Sequence, residues 1–336
     1  MPPLDYRRAG SAAEAIALAA DHRDAVFLAG GTEVVNWLKQ GIVAPPLLID
    51  LTGCDLGRIT RNADTLSIGA LARLTAIAAH SDVRQAAPAV AQALEATASP
   101  AIRQMATLAG NLLQRTRCPY FLGTRHSAFG TRPSAECCNR REAGSGCGAG
   151  SGDQRGSAIF GASLSCIATH PSDVAVVLAV LEAELVVEGE AGRRTLAVEG
   201  LYPAVADPAV ENTLVRGELI TSIRVPLGRA ASRTRYLKIR DRSSFDFAVV
   251  AAAGYLIVED GLIAEARLAL GGVAARPWRA RTAEAHLIGR KPGPEGVARA
   301  MGAELAGAEL LPGNRYKAEL VVRAATKVLL EPEDLA

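Results

Sequence analysis

A cysteine-rich segment constrains this chain more than any other feature, because it cannot fold by burying an apolar core. Four of the six cysteines fall between Cys118 and Cys147, and Cys166 follows after a short gap. From Cys118 to about Gly161 the sequence is rich in Gly, Ser, Arg and Cys and keeps neither a helical nor a strand period. A stretch of this length without secondary structure is usually functional or disordered. The embedded cysteines favour a loop that is ordered by a metal centre.

Four of these cysteines form the candidate ligand set, and they are separated by 20, 9 and 19 residues: Cys118, Cys138, Cys147 and Cys166. Converging thiolates hold iron in iron–sulfur clusters, and four thiolates also bind zinc, so the residues alone leave both metals open. Cys137 is an alternative ligand beside Cys138. Cys54 lies in a different region, and we interpret it as an inert, half-buried thiol.

The remaining polar motifs give little support to a hydrolase. His126 and His170 lie near the cysteines, but a lone loop histidine is more often solvated than bound to a metal. Neither a Gly-rich nucleophile elbow nor an H-E-x-x-H helix occurs in the sequence.

Two turns of small residues are candidate phosphate-binding loops. The first, LAGGTE at 28–33, lies between a predicted buried strand and a helix. Its glycines permit close backbone approach, and a helix N-terminus supplies partial positive charge. The second, ATLAGN at 106–111, has the same small-residue character. Two such loops indicate a dinucleotide, which has two ends to hold, although each turn alone is more often only a tight turn.

Composition and charge exclude other classes. The chain of 336 residues has 37 Lys+Arg against 35 Asp+Glu, so no basic excess predicts nucleic-acid binding. The longest apolar runs, such as 174–181, reach about half of the ~20 residues that a membrane span needs. The N-terminus lacks the pattern of an export signal, which predicts a cytoplasmic protein.

Three stretches, taken in order, resemble the FAD-binding middle subunit of the molybdenum hydroxylases, which include xanthine dehydrogenase, carbon monoxide dehydrogenase and aldehyde oxidoreductases. They are FLAGGT at 27–32, ATLAGN at 106–111 and HPSD at 170–173. The stretches QRTRCPY at 114–120, CNRR at 138–141 and GSGC at 144–147 narrow the resemblance. They are similar to the middle subunit of bacterial periplasmic aldehyde oxidoreductases, which carries an extra [4Fe–4S] cluster. The middle subunit of 4-hydroxybenzoyl-CoA reductase has a similar insertion.

The resemblance covers nearly the whole chain, including KIRDR at 238–242 and LGGVA at 270–274. It implies an α+β protein. A two-subdomain FAD-binding domain of the vanillyl-alcohol-oxidase (PCMH) type would span residues 1–226, with the iron–sulfur insertion at 118–166. A C-terminal α+β domain of the carbon monoxide dehydrogenase flavoprotein type would span 233–333.

The resemblance also implies roles for individual residues. The FAD pyrophosphate would be bound through the backbone of Leu28, Ala29, Gly30, Gly31, Thr32 and Glu33. The second FAD loop would comprise Ala106, Thr107, Gly110 and Asn111. Asp173 would bind the flavin side or the ribitol, Ile220 would lie beside the adenine and Lys238 beside the flavin. The [4Fe–4S] ligands would be Cys118, Cys138, Cys147 and Cys166, with the choice between Cys137 and Cys138 left open.

By this resemblance the chain passes electrons rather than oxidising the organic substrate. A large partner subunit would carry the molybdenum cofactor, and a small one two [2Fe–2S] clusters. Electrons would pass from these to FAD and then to an external acceptor. The [4Fe–4S] cluster would be either a second exit route or a structural staple. A stand-alone flavin oxidoreductase and a zinc-stabilised scaffold subunit are the alternatives. Co-export with a signal-bearing partner would make the protein periplasmic instead of cytoplasmic.

Overall fold

The computed structural model describes residues 3–123, 137–204, 207–208 and 210–330. The chain begins with a small parallel unit around a three-stranded sheet of order β1-β3-β2. Its elements are β1 (Asp5–Arg8), α1 (Ala12–Asp21), β2 (Val26–Leu28), α2 (Val34–Lys39) and β3 (Leu47–Asp50). Ser11 caps α1, because its Oγ accepts a hydrogen bond from the Glu14 N–H at 3.1 Å. Glu14 reaches back to the N–H of Gly10 at 2.7 Å.

The second unit packs short helices against an antiparallel sheet. Its first part comprises β4 (Ile59–Arg61), β5 (Thr65–Gly69), α3 (Leu74–Ala79), α4 (Ser81–Ala86), α5 (Pro88–Glu95), α6 (Pro100–Met105) and α7 (Leu108–Leu112). Two short helices lie in the cysteine-rich segment, for which the sequence predicts no regular structure: α8 (Pro119–Leu122) and α9 (Gly148–Ser151).

The second unit is completed after the cysteine-rich segment. It adds α10 (Asp173–Val180), β6 (Glu184–Gly189), β7 (Gly192–Ala197), a 3₁₀ helix (Val198–Leu201) and β8 (Leu219–Pro226). The sheet order is β4-β5-β8-β6-β7, so β8 pairs with both β5 and β6 and joins the two parts of the chain. Every residue of α10 is buried. This helix forms the centre of the core because it packs against α5 on one side and against the third unit on another.

The third unit is an antiparallel sheet of order β12-β11-β10-β9 with helices packed on it. Its elements are α11 (Arg229–Arg233), β9 (Arg235–Ile239), β10 (Val250–Glu259), β11 (Leu262–Gly271), β12 (Trp278–Arg279), α12 (Arg281–Leu287), α13 (Pro294–Leu305) and α14 (Lys317–Leu329). The stretch 227–234, whose Gly, Arg, Ala and Ser content is typical of a linker, holds the short helix α11, whose Ala231 is buried in the core of the second unit. The three segregated sheets give the α+β class that the sequence predicts.

Buried polar side chains fasten the end of the cysteine-rich segment to the third unit. The Lys317 ammonium donates to the carbonyls of Ser157 and Gly272 at 2.8 and 2.7 Å, and burial lowers the pKa of Lys317 to about 7. The Asn314 amide donates to the Ala158 carbonyl at 2.8 Å. The end of the segment is therefore held against the third unit. In the part of the chain that the structure describes, no helix combines the length and apolar character of a membrane span.

Candidate flavin and cysteine sites

The glycine loop after β2 is pressed against the backbone of the second predicted loop. A Cβ on Gly30 would lie 1.9 Å from the carbonyl oxygen of Met105, a distance that no side chain tolerates. Gly31 has φ +74°, in the left-handed region that favours glycine. The guanidinium of Arg73 donates to the same Met105 carbonyl. Both glycines are therefore required by the local geometry, and the close approach at Gly30 brings the two loops together.

The second loop is held by hydrogen bonds to its own side chains and to α10. Thr107 caps α7 because its Oγ1 accepts a bond from the Gly110 N–H at 3.3 Å. The Ser172 hydroxyl donates to Asn111 Oδ1 at 2.7 Å and also caps α10. These contacts place the Thr107 loop beside Asp173, the first residue of α10.

Two cavities meet along these loops, with volumes of about 260 and 170 Å³. The larger, here called the Asp173 cavity, is lined by Thr32, Glu33, Ala106, Gly110, Asn111, Asp173 and Lys238 among others. The smaller, the Ile220 cavity, is lined by Ala29, Gly30, Gly31, Thr32, Glu33, Thr107, Gly110 and Ile220 among others. All the predicted flavin-site residues except Leu28 line one of these cavities. Leu28 packs instead behind the loop, against the cluster that contains Val34 and Leu38.

Three of the residues line both cavities: Thr32, Glu33 and Gly110. The two cavities therefore adjoin at the small-residue loops. A long ligand with a phosphate-like centre and two ring systems matches this shape, because each ring system has a cavity of its own. Orphaned buried polar atoms support the fit. Among the described residues, Glu33 Oε2, Trp37 Nε1 and Arg117 Nε have no hydrogen-bond partner in the protein.

A buried ion pair forms one wall of the Asp173 cavity. Lys238 Nζ lies 2.8 Å from Asp173 Oδ2, and both side chains are 3% exposed. The Tyr236 hydroxyl donates to Asp173 Oδ1 at 2.5 Å, and Thr97 Oγ1 lies 3.1 Å from Oδ2. Burial raises the pKa of Asp173, and Lys238, Tyr236 and Thr97 oppose that rise. The second and third units thus both contribute to one wall of the cavity.

Sequence reasoning missed several residues of the Asp173 cavity. Arg117 pairs with Glu33, and its guanidinium lies 4.9 Å from the centre of the Phe247 ring. Arg117 therefore connects the glycine loop to the segment that follows β9. Phe245 and Phe247 line the cavity although both are about half exposed. In a chain with 4% aromatic residues, two aromatics so close together after KIRDR were the signal that could have identified this wall.

His170 is not the solvated loop histidine that the sequence predicts. Its Nε2 lies 3.2 Å from the Leu112 carbonyl, and its ring packs on Tyr202 with 4.5 Å between the centroids. The Ser172 N–H points to Nδ1 at 3.4 Å. This neutral ring donates through one nitrogen and accepts through the other, and desolvation lowers its pKa to about 4. His126 lies outside the described residues.

All four predicted metal ligands and Cys137 line one further cavity, here called the cysteine cavity. Cys118 precedes α8, Cys147 precedes α9, and Cys138 pairs with Cys147 in an isolated β-bridge. Asn139 ties the loops together, because its Oδ1 accepts from the N–H of Gly146 and its amide donates to the Ser165 carbonyl, both at 2.9 Å. Cys54 lies far from this cavity, in the core of the first unit, and is buried rather than half-buried.

Hydrogen-bond donors surround the sulfurs of the cysteine cavity. Backbone N–H groups of Tyr120 and Phe121 point to Cys118, and the Arg140 Nε donates to Cys166 Sγ at 3.1 Å. Burial raises the pKa of Cys118 to about 11, and these backbone donors lower it in part. No carboxylate or imidazole is among the described residues lining this cavity. A purely thiol donor set with N–H donors fits iron–sulfur chemistry, and a set of four thiolates also fits zinc.

The described side chains do not stand in a finished metal site. Within residues 3–123, 137–204 and the described remainder, no three His, Cys, Asp or Glu side chains are arranged so that they could hold one metal ion. The cysteines share a cavity, and their role as metal ligands stays a prediction.

Comparison with known proteins gives the family. Residues 2–228 match the FAD binding domain in molybdopterin dehydrogenase, and residues 235–331 match the CO dehydrogenase flavoprotein C-terminal domain. The chain is 39% identical to the aldehyde oxidoreductase FAD-binding subunit PaoB of Escherichia coli K12, covering 98% of each chain. It is 26% identical to the carbon monoxide dehydrogenase medium chain of Afipia carboxidovorans, covering 85% of this chain and 80% of that protein. The fold matches a chain of reconstituted CO dehydrogenase from Oligotropha carboxidovorans with a TM-score of 0.73 at 22% identity. The match covers 97% of this chain and 96% of that chain.

The fold and the two-loop cleft define an FAD-binding oxidoreductase subunit. The chain belongs to the family of FAD-binding middle subunits of the molybdenum hydroxylases. The predicted family, the fold class and the assignment to oxidoreductases are thereby confirmed.

Replacing Gly30 with alanine tests the close approach of the two loops. We expect G30A to weaken FAD binding more than tenfold, because the new Cβ must displace the Met105 backbone. The measurement is the FAD dissociation constant by fluorescence titration of the apoprotein. G57A is the matched control, since a Cβ on Gly57 meets nothing within 4 Å. Equal FAD affinity in both variants would contradict the required approach.

The pKa of His170 predicts a pH dependence of stability. Its folded pKa of about 4 is below the ordinary 6.5, so between these values the unfolded chain binds a proton that the folded chain does not. Stability from this residue therefore falls as pH falls from 6.5 to 4, by at most about 1.4 kcal/mol per pH unit. We expect the melting temperature to fall less in H170Q than in the wild type between pH 7 and 4.5. An equal fall of the melting temperature in both proteins would refute the lowered pKa of His170.

Proposed function

We propose that this chain is the FAD- and [4Fe–4S]-containing electron-transfer subunit of a molybdenum-dependent aldehyde oxidoreductase. The observation that carries the FAD part is the pair of adjoining cavities that share residues of the two small-residue loops. Identity of 39% with an aldehyde oxidoreductase FAD-binding subunit over nearly the whole length supports aldehydes as the substrate class of the complex.

Different residues of the chain bind different parts of FAD. We assign the pyrophosphate to the backbone of Gly30, Gly31 and Thr32, where only small residues leave the amides accessible. The adenine end belongs in the Ile220 cavity, which carries fewer charged side chains. The isoalloxazine belongs in the Asp173 cavity, beside the Lys238 ammonium. Bound FAD supplies a carrier that takes up electrons singly and releases them in pairs.

The cysteine cavity is the proposed [4Fe–4S] site. The ligands are Cys118, Cys138, Cys147 and Cys166. Cys138 is favoured over its neighbour because it is buried at 8% exposure, whereas Cys137 is exposed. A cluster supplies one-electron chemistry. Arg117 lines the Asp173 cavity and the next residue, Cys118, lines the cysteine cavity, so the two proposed sites are neighbours in the chain.

The proposal includes partners and a domain division. A large molybdenum-cofactor subunit and a small [2Fe–2S] subunit would deliver electrons to this chain, and an external acceptor would take them away. We propose residues 1–226 as the FAD-binding domain, with the cluster insertion at 118–166, and 233–333 as the C-terminal domain. Assembly in the cytoplasm, either as the final location or before co-export to the periplasm with a signal-bearing partner, completes the proposal.

Cofactor analysis of anaerobically purified protein tests the proposal. We expect one FAD and about four irons, with matching sulfide, per chain. C138S and C166S are expected to lose the iron and keep the FAD, because the two sites use different residues. C54S is the matched control and is expected to keep both, since Cys54 is a buried thiol in another core.

Other cofactor contents would overturn parts of the proposal. If the wild-type protein contains FAD but no iron, the proposed cluster is refuted and the proposed FAD binding stands. Loss of iron in C137S but not in C138S would show that Cys137, and not Cys138, binds the cluster. Zinc without FAD would overturn the whole proposal in favour of a scaffold subunit.

A further inference from the structure

The Asp173 carboxylate is bound from two units of the fold. It begins α10 in the second unit, whereas Lys238 and Tyr236 lie on β9 of the third. A carboxylate and an ammonium that are each 3% exposed need geometrically good partners, because burial removes their hydration. The positions of the Asp173 carboxylate and the Lys238 ammonium therefore depend on the other side chains that bind Asp173.

Lys238 retains a donor for a ligand in the cavity. Its ammonium carries three N–H groups, and the structure gives it two acceptors, Asp173 Oδ2 at 2.8 Å and the Ala96 carbonyl at 3.1 Å. The third N–H is left for a group in the Asp173 cavity, which Lys238 lines. The Asp173 carboxylate partly neutralises the Lys238 ammonium. The stronger that interaction is, the less positive charge the ammonium presents to a ligand in the cavity.

Tyr236 acts on this pair from outside the cavity. Its hydroxyl donates to Asp173 Oδ1 at 2.5 Å, the oxygen that Lys238 does not use. Tyr236 is not among the residues that line the Asp173 cavity. Its position is fixed, because β9 pairs with β10 and the Tyr236 N–H donates to Gln92 Oε1 at 3.3 Å. It therefore contacts the carboxylate without contacting a ligand in the cavity.

We infer that Tyr236 is a positioning residue for the flavin site: by donating to Asp173 Oδ1 it draws carboxylate charge away from Lys238 and leaves the ammonium available to the flavin. This inference rests on the proposed binding of FAD. A positive charge beside the flavin stabilises its reduced, more negative form. The hydroxyl of Tyr236 thus raises the flavin midpoint potential without touching the flavin.

The Y236F variant tests this role in the full-length, FAD-loaded protein. We expect a midpoint potential below that of the wild type in a dye-coupled spectroscopic titration. We also expect FAD binding about tenfold weaker, equivalent to 1.4 kcal/mol. Y255F is the matched control, because Tyr255 is also buried, lies on the adjacent strand β10 and donates to a carboxylate, Glu265, outside the cavity. Y255F is expected to keep the wild-type potential even if its stability falls.

A second substitution keeps the test decisive if Y236F does not fold. Site-specific 3-fluorotyrosine at position 236 makes the phenol a stronger donor, so the midpoint potential should rise above the wild-type value. A potential in Y236F or the fluorinated protein that equals that of Y255F would overturn the inference. A wild-type chain that binds no FAD would refute the proposed function, whereas unchanged potentials in an FAD-loaded chain would refute only the role of Tyr236.

Discussion

The close approach of Gly30 to the Met105 carbonyl is the constraint on which the flavin cleft depends. It brings the glycine loop of the parallel unit against the loop that opens α7, two segments separated by more than seventy residues in the chain. Because no side chain fits between them, the backbones themselves form the junction where the Asp173 and Ile220 cavities meet. Glycine costs conformational entropy on folding, so its use here is explained by this contact.

Charged networks connect this junction to the cysteine cavity. Arg117 pairs with Glu33 of the glycine loop, while the adjacent Cys118 lines the cysteine cavity. On the other side, Arg140 donates to Cys166 and to Glu211, which also pairs with Arg115 at 2.6 Å. These arginines are largely shielded from solvent, and their pairs add polar contacts to the small apolar cluster around Tyr120 and Phe121. Polar contacts thus fasten the described part of the cysteine-rich segment to its neighbours in the fold.

The sequence predicts the periodic and glycine-dependent parts of this structure well. The strand at 65–69 and the helix that begins at Asp173 follow directly from alternation and from a continuous apolar run. The two loops at 28–33 and 106–111 are predictable because glycines and other small residues indicate a close approach of two backbones. The family resemblance assigns Asp173 and Lys238 separately to the flavin site, and their ion pair is a contact between units that no local pattern encodes.

Local patterns fail where long-range packing decides. Arg229–Arg233 looks like a linker by composition, yet Ala231 is buried against the second unit and the segment forms a helix. His170 looks solvated because its flanks are polar, but Tyr202 and Leu112 arrive from distant segments and enclose it. Arg117 and Tyr236 have no sequence signature, since their roles depend on partners more than sixty residues away.

A high-resolution structure of the purified chain with FAD bound tests the central claim most directly. The account predicts a single FAD whose pyrophosphate accepts hydrogen bonds from the backbone between Gly30 and Thr32. Its adenine would lie in the Ile220 cavity and its isoalloxazine in the Asp173 cavity beside Lys238. An FAD bound in the reverse direction, or outside these two cavities, would contradict it.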